Sequence, residues 1–228
     1  MSAPALLLVA HGTRNPRGVA TVHELADAVR VKGVTVHVAF ADVLGPTVAE
    51  VLMVVEGPVV LVPAFLASGY HVRTDLPGEV RVSGHPAVRM ARALGPDATL
   101  AALQHVRLRE VGWQPGDGVV LSAVGSADPH ALADVETAAK LLSVELGAPV
   151  SLGYGVMASP TVPDAVAQLR SGGARRVLAS PYLLAPGLFH RKLAAAGADR
   201  VAAPMGVHPL LIDLVLQRYR AEAEHVAG

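Results

Sequence analysis

The sequence predicts an α/β protein built from two tandem flavodoxin-like units, each a mostly four-stranded parallel sheet flanked by helices, with a cleft between the units. Three observations support this fold class. Short apolar runs alternate with amphipathic stretches along the 228 residues. Motifs of the first half return in the same order in the second half. Aromatic residues make up only 4%, so the core must be aliphatic, which suits a parallel sheet buried under helices.

The first half alternates strand and helix patterns. Apolar runs predict strands at residues 5–10, 34–40, 59–62 and 88–91. Helical spacing of apolar residues predicts helices within residues 19–29, 47–55, 71–81 and 97–110. Because strands and helices alternate in this way, we expect the strands to be parallel and the helices to cover both faces of the sheet.

The second half repeats the first after a glycine-rich segment at residues 112–118. Its opening strand ends in Gly125-Ser126, as the first strand of the chain ends in Gly12-Thr13. Three further pairs of segments keep the same order: 46–48 with 160–162, 60–66 with 177–183, and 94–107 with 205–218. We therefore predict a duplication of a unit of roughly 110 residues, with one copy in residues 1–112 and a degenerate copy in residues 118–228.

Composition excludes several classes of protein. Nineteen basic residues are balanced by nineteen acidic residues. The chain therefore has no net positive charge with which to attract nucleic acid or an anionic membrane. The absence of cysteine excludes disulfides, thiolate metal sites and cysteine nucleophiles. The longest apolar run, residues 59–67, is too short to span a bilayer. The first residues carry no basic segment of the kind that opens a secretory signal, so we expect a cytoplasmic protein.

Two histidines follow predicted strands and are candidates for chemistry. His11 comes directly after the first strand, and His71 follows the third strand after a short loop containing Gly69. In a doubly wound sheet the loops after these strands lie at the same edge, so the two side chains can converge. Two neutral imidazoles can hold a divalent first-row metal ion or accept protons near neutral pH.

The motifs around these histidines resemble a known family. Three segments show this resemblance: a strand followed by His11-Gly12-Thr13-Arg14, residues 63–77 with the sequence PAFLASGYHVRTDLP, and a Leu-Gly pair before the last helix of the first half. They are similar to the CbiX/SirB class II chelatases, in their fused two-unit form. This resemblance implies a chelatase-like fold and insertion of a divalent metal into sirohydrochlorin, with His11 and His71 binding the metal and receiving pyrrole protons.

The resemblance also implies an acidic residue in the cleft and a cationic rim. Asp42 lies near the position where the family often has a glutamate, and it is an acidic candidate for substrate binding that would line the cleft. Because sirohydrochlorin carries several carboxylates, we expect guanidinium groups near the strand ends to bind it. In the first half the candidates are Arg14 and Arg73.

The second half offers three more candidates for substrate binding. His190 is the rough counterpart of His71, and we expect it to contact the substrate or to mark a residual site. Arg191 and Lys192 follow it and would extend the cationic rim. One chain can hold a complete site, so a monomer is sufficient, although a homodimer is compatible with the sequence.

The sequence does not determine which divalent metal is inserted. Iron(II) is favoured, for sirohaem, while cobalt(II) would serve cobalamin synthesis and nickel(II) a nickel tetrapyrrole. No cofactor is expected beyond the divalent metal substrate, and no nucleotide is expected because the chain has no P-loop motif.

Three alternatives use the same residues differently. A histidine phosphatase would need an arginine before the histidine, where this chain has Ala10. A flavodoxin-like binding module would need a Ser/Thr-rich phosphate loop, where this chain has Pro16. A non-catalytic carrier of metal or tetrapyrrole would bind its ligands without turnover, and only a rate measurement distinguishes it from a chelatase.

Overall fold

A computed structural model describes residues 3–226. The strands are β1 Ala5–Ala10, β2 Val36–Phe40, β3 Val59–Pro63, β4 Val88–Met90, β5 Gly118–Ala123, β6 Val150–Tyr154, β7 Val177–Pro181 and β8 Arg200–Val201. The α-helices are α1 Pro16–Arg30, α2 Val48–Leu52, α3 Leu76–Ser83, α4 Ala98–Glu110, α5 Pro129–Leu146, α6 Val162–Ser171, α7 Leu188–Leu193 and α8 Pro209–Val226. A π-helix, His71–Asp75, precedes α3. The predicted fold class is confirmed, since each half of the chain forms one four-stranded parallel sheet flanked by helices.

The first unit has the strand order β2-β1-β3-β4, with parallel pairing throughout. All six residues of the central strand β1 are buried. Leu7 and Val9 of this strand share a core cluster with Leu61 of β3 and Leu52 of α2. Because β1 is covered on both faces, its sequence is continuously apolar, as is typical of parallel sheets.

The caps of α1 and α2 fix the path of the chain beyond the strand ends. The side chain of Asn15 accepts a hydrogen bond from the backbone N–H of Arg17 at the start of α1. Thr47 and Glu50 form a reciprocal capping box at the start of α2. These bonds satisfy N–H groups that have no partner inside a helix. The loops after β1 and β2 are therefore held at their distal ends.

The second unit has the corresponding order β6-β5-β7-β8 and is also parallel. Its central strand β5 is almost entirely buried. Thr161 and Asp164 form a capping box on α6, which matches the capping box on α2. The fold of the first unit is thus repeated down to the caps.

Each compact unit contains the last helix of the other sequence repeat. The first unit consists of residues up to Leu94 together with α8, and the second consists of Gly95–Gly206 and includes α4. In the first unit the buried Arg218 of α8 donates hydrogen bonds to the carbonyls of Ala93 and Leu94, at 3.1 Å each. In the second unit Arg107 of α4 donates to the carbonyl of Met205, at 2.8 Å.

The predicted units 1–112 and 118–228 therefore describe repeats in the sequence, whereas the compact units change at residues 94–95 and 206–207. The physical reason is the arginine on each last helix. This arginine donates hydrogen bonds to backbone carbonyls of the unit into which its helix packs, and those carbonyls would otherwise lack a partner. Sequence periodicity contains no information on which of two similar sheets a helix covers.

No helix among residues 3–226 is long and apolar enough to cross a bilayer. Met1 and Ser2 belong to the segment on which the prediction about a secretory signal rests, and they lie outside the described residues.

Candidate metal site

His11 leaves the first strand at its carboxyl end and is held against the end of β2. Its carbonyl accepts a hydrogen bond from the backbone N–H of Asp42, at 2.9 Å. The next residue, Gly12, has a φ of +97°, and a Cβ placed there would lie 2.0 Å from the carbonyl oxygen of Asp42. Only glycine permits this approach. Gly12 thus brings the loops that carry His11 and Asp42 together.

Asp42 is exposed at the end of β2, and its carboxylate is oriented by its own loop. The backbone N–H of Val43 donates to Asp42 Oδ1, at 2.7 Å. Val43 has a φ of +69°, which is uncommon for a β-branched residue. One carboxylate oxygen is therefore anchored to the backbone, while the other can accept a ligand.

His71 lies at the start of the π-helix and is oriented by a carboxylate one turn later. Its Nδ1 lies 2.7 Å from Asp75 Oδ2. An ionised carboxylate only accepts hydrogen bonds, so Nδ1 must carry the proton and Nε2 is left to bind a ligand. This is the arrangement in which a carboxylate orients a metal-binding histidine. Asp75 is half-exposed and acts through His71.

The π-helix accounts for one additional residue in the first repeat. Leu76 and Leu193 are buried at corresponding places in the two cores. Leu76 is one residue farther from the strand-ending Pro63 than Leu193 is from Pro181. π-Helical turns often occur at functional sites. The extra residue is accommodated where the chain positions His71.

His11, Asp42 and His71 form one cluster. Their nearest ligand atoms all lie within 4.8 Å of one another. The two imidazole centroids are 4.7 Å apart and their planes are tilted by 41°. Two atoms bound to one first-row ion at about 2.1 Å are separated by at most about 4.2 Å. Small side-chain rotations would thus suffice for all three residues to bind one ion.

Phe65 forms an apolar wall beside the two histidines. Its ring centroid lies 6.2 Å from that of His11 and 6.5 Å from that of His71.

The pKa of His11 is lowered below its ordinary value of 6.5, and desolvation by burial is the main cause. The charge of His71 lowers this pKa further, whereas the charge of Asp42 raises it. A lowered pKa keeps the imidazole neutral at neutral pH, which is the form that binds a metal ion or accepts a proton.

The predicted cations are exposed, in both units. Arg14 lies in the loop after β1 and Arg73 lies in the π-helix, next to the metal cluster along the chain. Arg191 and Lys192 lie on α7 of the second unit. Their exposure is compatible with binding an anionic ligand, and their role stays a prediction.

The predicted correspondence of His190 with His71 needs a correction. In the paired strands, Pro63 and Pro181 hold equivalent register positions. Eight residues after these prolines the chain has His71 in the first repeat and Phe189 in the second. His190 Nε2 instead lies 3.2 Å from the carbonyl oxygen of Ala202.

The sequence alone did not identify Asp75 and Phe65 as parts of the site. The signal for Asp75 was present, because a histidine and a carboxylate four residues apart share a helix face. The signal for Phe65 was its place in the loop that follows β3. Both contacts depend on the local conformation of residues 63–75, which includes the π-helix.

Comparison with known proteins identifies the family. The CbiX family model matches residues 5–111 and again residues 118–222. The chain belongs to the CbiX family. The two matched segments coincide with the sequence repeats and support their duplication.

Individual relatives and solved structures resemble this chain at low sequence identity. The chloroplastic sirohydrochlorin ferrochelatase of Arabidopsis thaliana is 30% identical over 129 residues, which is 51% of this chain and 57% of the plant protein. The sirohydrochlorin cobaltochelatase of Methanococcoides burtonii is 31% identical over 46% of this chain and 95% of its own length. SirB from Bacillus subtilis, solved with Fe³⁺, has a TM-score of 0.84 at 22% identity, covering 100% of this chain and 98% of that one. The likeness to SirB shows that the fold is shared over the full length.

Proposed function

We propose that this chain is an ATP-independent lyase that inserts a divalent metal ion into sirohydrochlorin and releases two protons. The observation that carries the proposal is the cluster of His11, Asp42 and His71 at the carboxyl ends of the strands. Its occurrence in a member of the CbiX family gives it a substrate, since relatives on both the plant and the archaeal side bear the names of sirohydrochlorin chelatases.

The cluster suits an ion that must leave again. Two imidazoles and one carboxylate leave room for water or substrate nitrogens in the coordination sphere of a first-row ion. A closed site with four fixed protein ligands would retain the ion. His11 and Asp42 are exposed, so the metal ion and the macrocycle can both reach the site. The metal is a substrate here, and the chain supplies its temporary ligands.

The same residues can take up the protons. Insertion breaks two pyrrole N–H bonds and forms bonds from the macrocycle nitrogens to the metal ion. As the ion moves from the protein to the macrocycle, His11 and His71 each recover a free imidazole nitrogen. A neutral imidazole accepts a proton near neutral pH. The lowered pKa of His11 favours this neutral form before transfer.

Exposed cations would bind the substrate carboxylates. We assign this role to Arg14 and Arg73 in the first unit and to Arg191 in the second, with His190 as a weaker candidate. Guanidinium groups form paired hydrogen bonds with carboxylates. These side chains would therefore affect the affinity for sirohydrochlorin more than the chemical step.

Iron(II) is the metal that we propose, for sirohaem, and cobalt(II) is the second candidate. The plant relative is a ferrochelatase and the archaeal relatives are cobaltochelatases, at nearly equal identity. Imidazole and carboxylate ligands accept both ions, and availability in the cell decides between them.

Anaerobic absorbance of sirohydrochlorin with the purified full-length protein tests the proposal. The spectrum changes when the macrocycle takes up a metal, so initial rates can be compared for Fe(II), Co(II) and Ni(II). We expect rates well above the spontaneous rate for Fe(II) and Co(II), with two protons released per metal inserted.

Two results would contradict the proposal. Tight binding of sirohydrochlorin with insertion no faster than the spontaneous rate would identify a carrier. No binding of sirohydrochlorin at all would remove the substrate. A preference for Co(II) at equal free concentrations of both ions would replace iron by cobalt within the same chemistry.

The remaining parts of the proposal concern partners. We propose that one chain is sufficient for activity, that no cofactor is needed beyond the metal substrate, and that the protein acts in the cytoplasm without nucleic acid or a membrane. Sedimentation during turnover, activity of metal-stripped protein supplied only with substrate metal, and cell fractionation test these points separately.

A further inference from the structure

The sheet of the second unit ends in an outer strand, β6, which has β5 as its neighbour. The backbone N–H of Gly155 donates to β5, whereas the N–H of Tyr154 donates to the carbonyl of Pro160 on the other side of the strand. Because backbone groups alternate between the two sides of a strand, those of Val150 and Leu152 also point away from β5. We call this stretch, residues 150–152, the β6 edge. Such an edge is a template for pairing with another strand.

A groove of about 430 Å³ lies between the β6 edge and helix α5. Val150 and Leu152 line it from the strand, and Glu136 and Lys140 line it from the helix. The two strand residues are half-buried and the two helix residues are exposed. Val144, one turn after Lys140, is an apolar side chain that is 82% exposed. The β6 edge is therefore bordered by both apolar and charged surface.

The corresponding outer strand of the first unit, β2, is protected by an arginine. Arg30 of α1 donates from Nε and Nη2 to the carbonyl of Val36, at 3.1 and 2.6 Å. Val150 has the register position of Val36. Counted from the first residue of each helix, Ser143 of α5 holds the position of Arg30, and its hydroxyl donates to the carbonyl of Ala148 instead. Charged side chains commonly prevent outer strands from pairing with other chains, and the second unit has a serine at this position.

The charges beside the groove favour a second copy of this chain as the partner. Glu136 and Lys140 lie one turn apart on the same side of α5. If two copies of β6 pair antiparallel about a twofold axis, their α5 helices also run antiparallel on one face of the joined sheet. The order of the charges is then reversed in the second helix, so that Glu136 of each copy can face Lys140 of the other. The surface thus complements itself, as a twofold interface requires.

We propose that β6 and α5 form the interface of a homodimer, in which the two β6 strands pair antiparallel and join two sheets into one. Val150 and Leu152 supply backbone hydrogen bonds between the copies, while Glu136 and Lys140 supply ion pairs. This inference does not rest on the proposed function, because each copy holds the whole metal cluster. Association and metal insertion can therefore be measured independently.

Sedimentation of the full-length protein between roughly 1 and 100 µM tests the proposal, since it covers micromolar affinities. The test variant is Ser143→Arg, which gives β6 the arginine that protects β2. The matched control is Ser171→Arg, at an exposed serine on α6 of the same unit. Circular dichroism and Co(II) binding verify that each variant is folded and keeps its metal site.

We expect the wild type to sediment as a dimer at the upper end of this range. Ser143→Arg should raise the dissociation constant of the dimer at least roughly tenfold, and Ser171→Arg should leave it unchanged. Hydrogen exchange at the amides of Val150 and Leu152 should slow as the wild type associates. A wild type that stays monomeric would overturn the proposal and leave the β6 edge to a strand of another protein. A dimer that Ser143→Arg retains with unchanged affinity would place the interface elsewhere and also overturn it.

The charges provide a second test, which does not depend on the substitution at Ser143. Glu136→Lys and Lys140→Glu each place like charges opposite one another in the antiparallel pair of helices, so each should weaken the dimer. The double variant reverses both charges and should regain most of the wild-type affinity. A double variant that is weaker than both single variants would overturn the antiparallel arrangement.

Discussion

The carboxyl ends of the strands in the two units share a backbone and differ in chemistry. Gly12 and Gly125 have φ values of +97° and +100°, and a Cβ on either would lie about 2 Å from a carbonyl oxygen. The residues after these contacts, Val43 and Met157, both have positive φ. The first unit adds two histidines and a carboxylate to this framework. The second unit has valines and a phenylalanine at the corresponding places.

The comparison separates what the fold requires from what the chemistry requires. Gly12 and Gly125 are needed in both units because the loops approach closely. His11 is not needed by the fold, since Val124 occupies its place in the second unit. Substitutions of the metal cluster should therefore impair activity with little loss of stability, whereas substitutions of the framework glycines should lower the stability of the fold.

The largest effect is expected for His11→Ala. The substitution removes one of three candidate ligands and a proton acceptor, while the equivalent position tolerates valine. We expect the rate of metal insertion to fall at least about 100-fold and the Tm to change little. Anaerobic absorbance and thermal unfolding measure the two quantities. His130→Ala, on an exposed histidine of the second unit, should leave both unchanged.

A smaller effect is expected for Asp75→Asn, a change in a positioning residue that has no equivalent in the second unit. The neutral amide no longer fixes the His71 proton on Nδ1, so the metal affinity should fall about 10-fold or more. Titration with Co(II) measures this affinity. Asp75→Glu should restore part of it, and equal losses in both variants with a lowered Tm would indicate a merely structural role.

Gly155→Ala tests the framework of the second unit. Its Cβ would lie 2.3 Å from the ring of Phe189, whereas Ala41 in the first unit already carries a Cβ. We expect a loss of about 1–3 kcal/mol in the free energy of unfolding, because the ring must move. Urea denaturation measures this loss. Gly187→Ala is the control, since nothing lies within 4 Å of the Cβ that it adds.

The smallest effect is expected for His37, a residue of the first unit that makes the stability of the fold depend on pH. Burial, aided by Arg30, lowers the pKa of His37 below 6.5, and β6 has Ser151 at the equivalent register. A lowered pKa means that the unfolded chain binds the proton more readily. His37 therefore contributes stability that is present above pH 6.5 and is lost as the pH falls through its folded pKa. In His37→Ser, stability should fall less between pH 7 and pH 5, as urea midpoints would show. Identical slopes would contradict this account.

Much of the fold could be predicted from the sequence because its signals are local. The continuous apolar run of β1 predicted its bounds, Ala5–Ala10, correctly. Asp97 and Thr47 lie at the predicted starts of α4 and α2 and are their N-caps. The proximity of His11 and His71 followed from the order of parallel strands, which places the ends of β1 and β3 side by side.

The features that the sequence did not predict depend on nonlocal packing. The exchange of α4 and α8 is stabilised by hydrogen bonds from Arg107 and Arg218 to distant carbonyls, and periodicity does not specify these partners. The π-helix depends on one extra residue between β3 and the buried Leu76.

The number of metal ions that each chain binds shows whether this cluster holds the metal substrate. We expect the purified chain to bind one Co(II) ion, followed anaerobically by absorbance, because among the described residues the cluster of His11, Asp42 and His71 occurs in the first unit alone. Binding should be lost in His11→Ala and in His71→Ala. Two ions per chain, or one ion that both variants retain, would contradict the claim that this cluster holds the metal substrate.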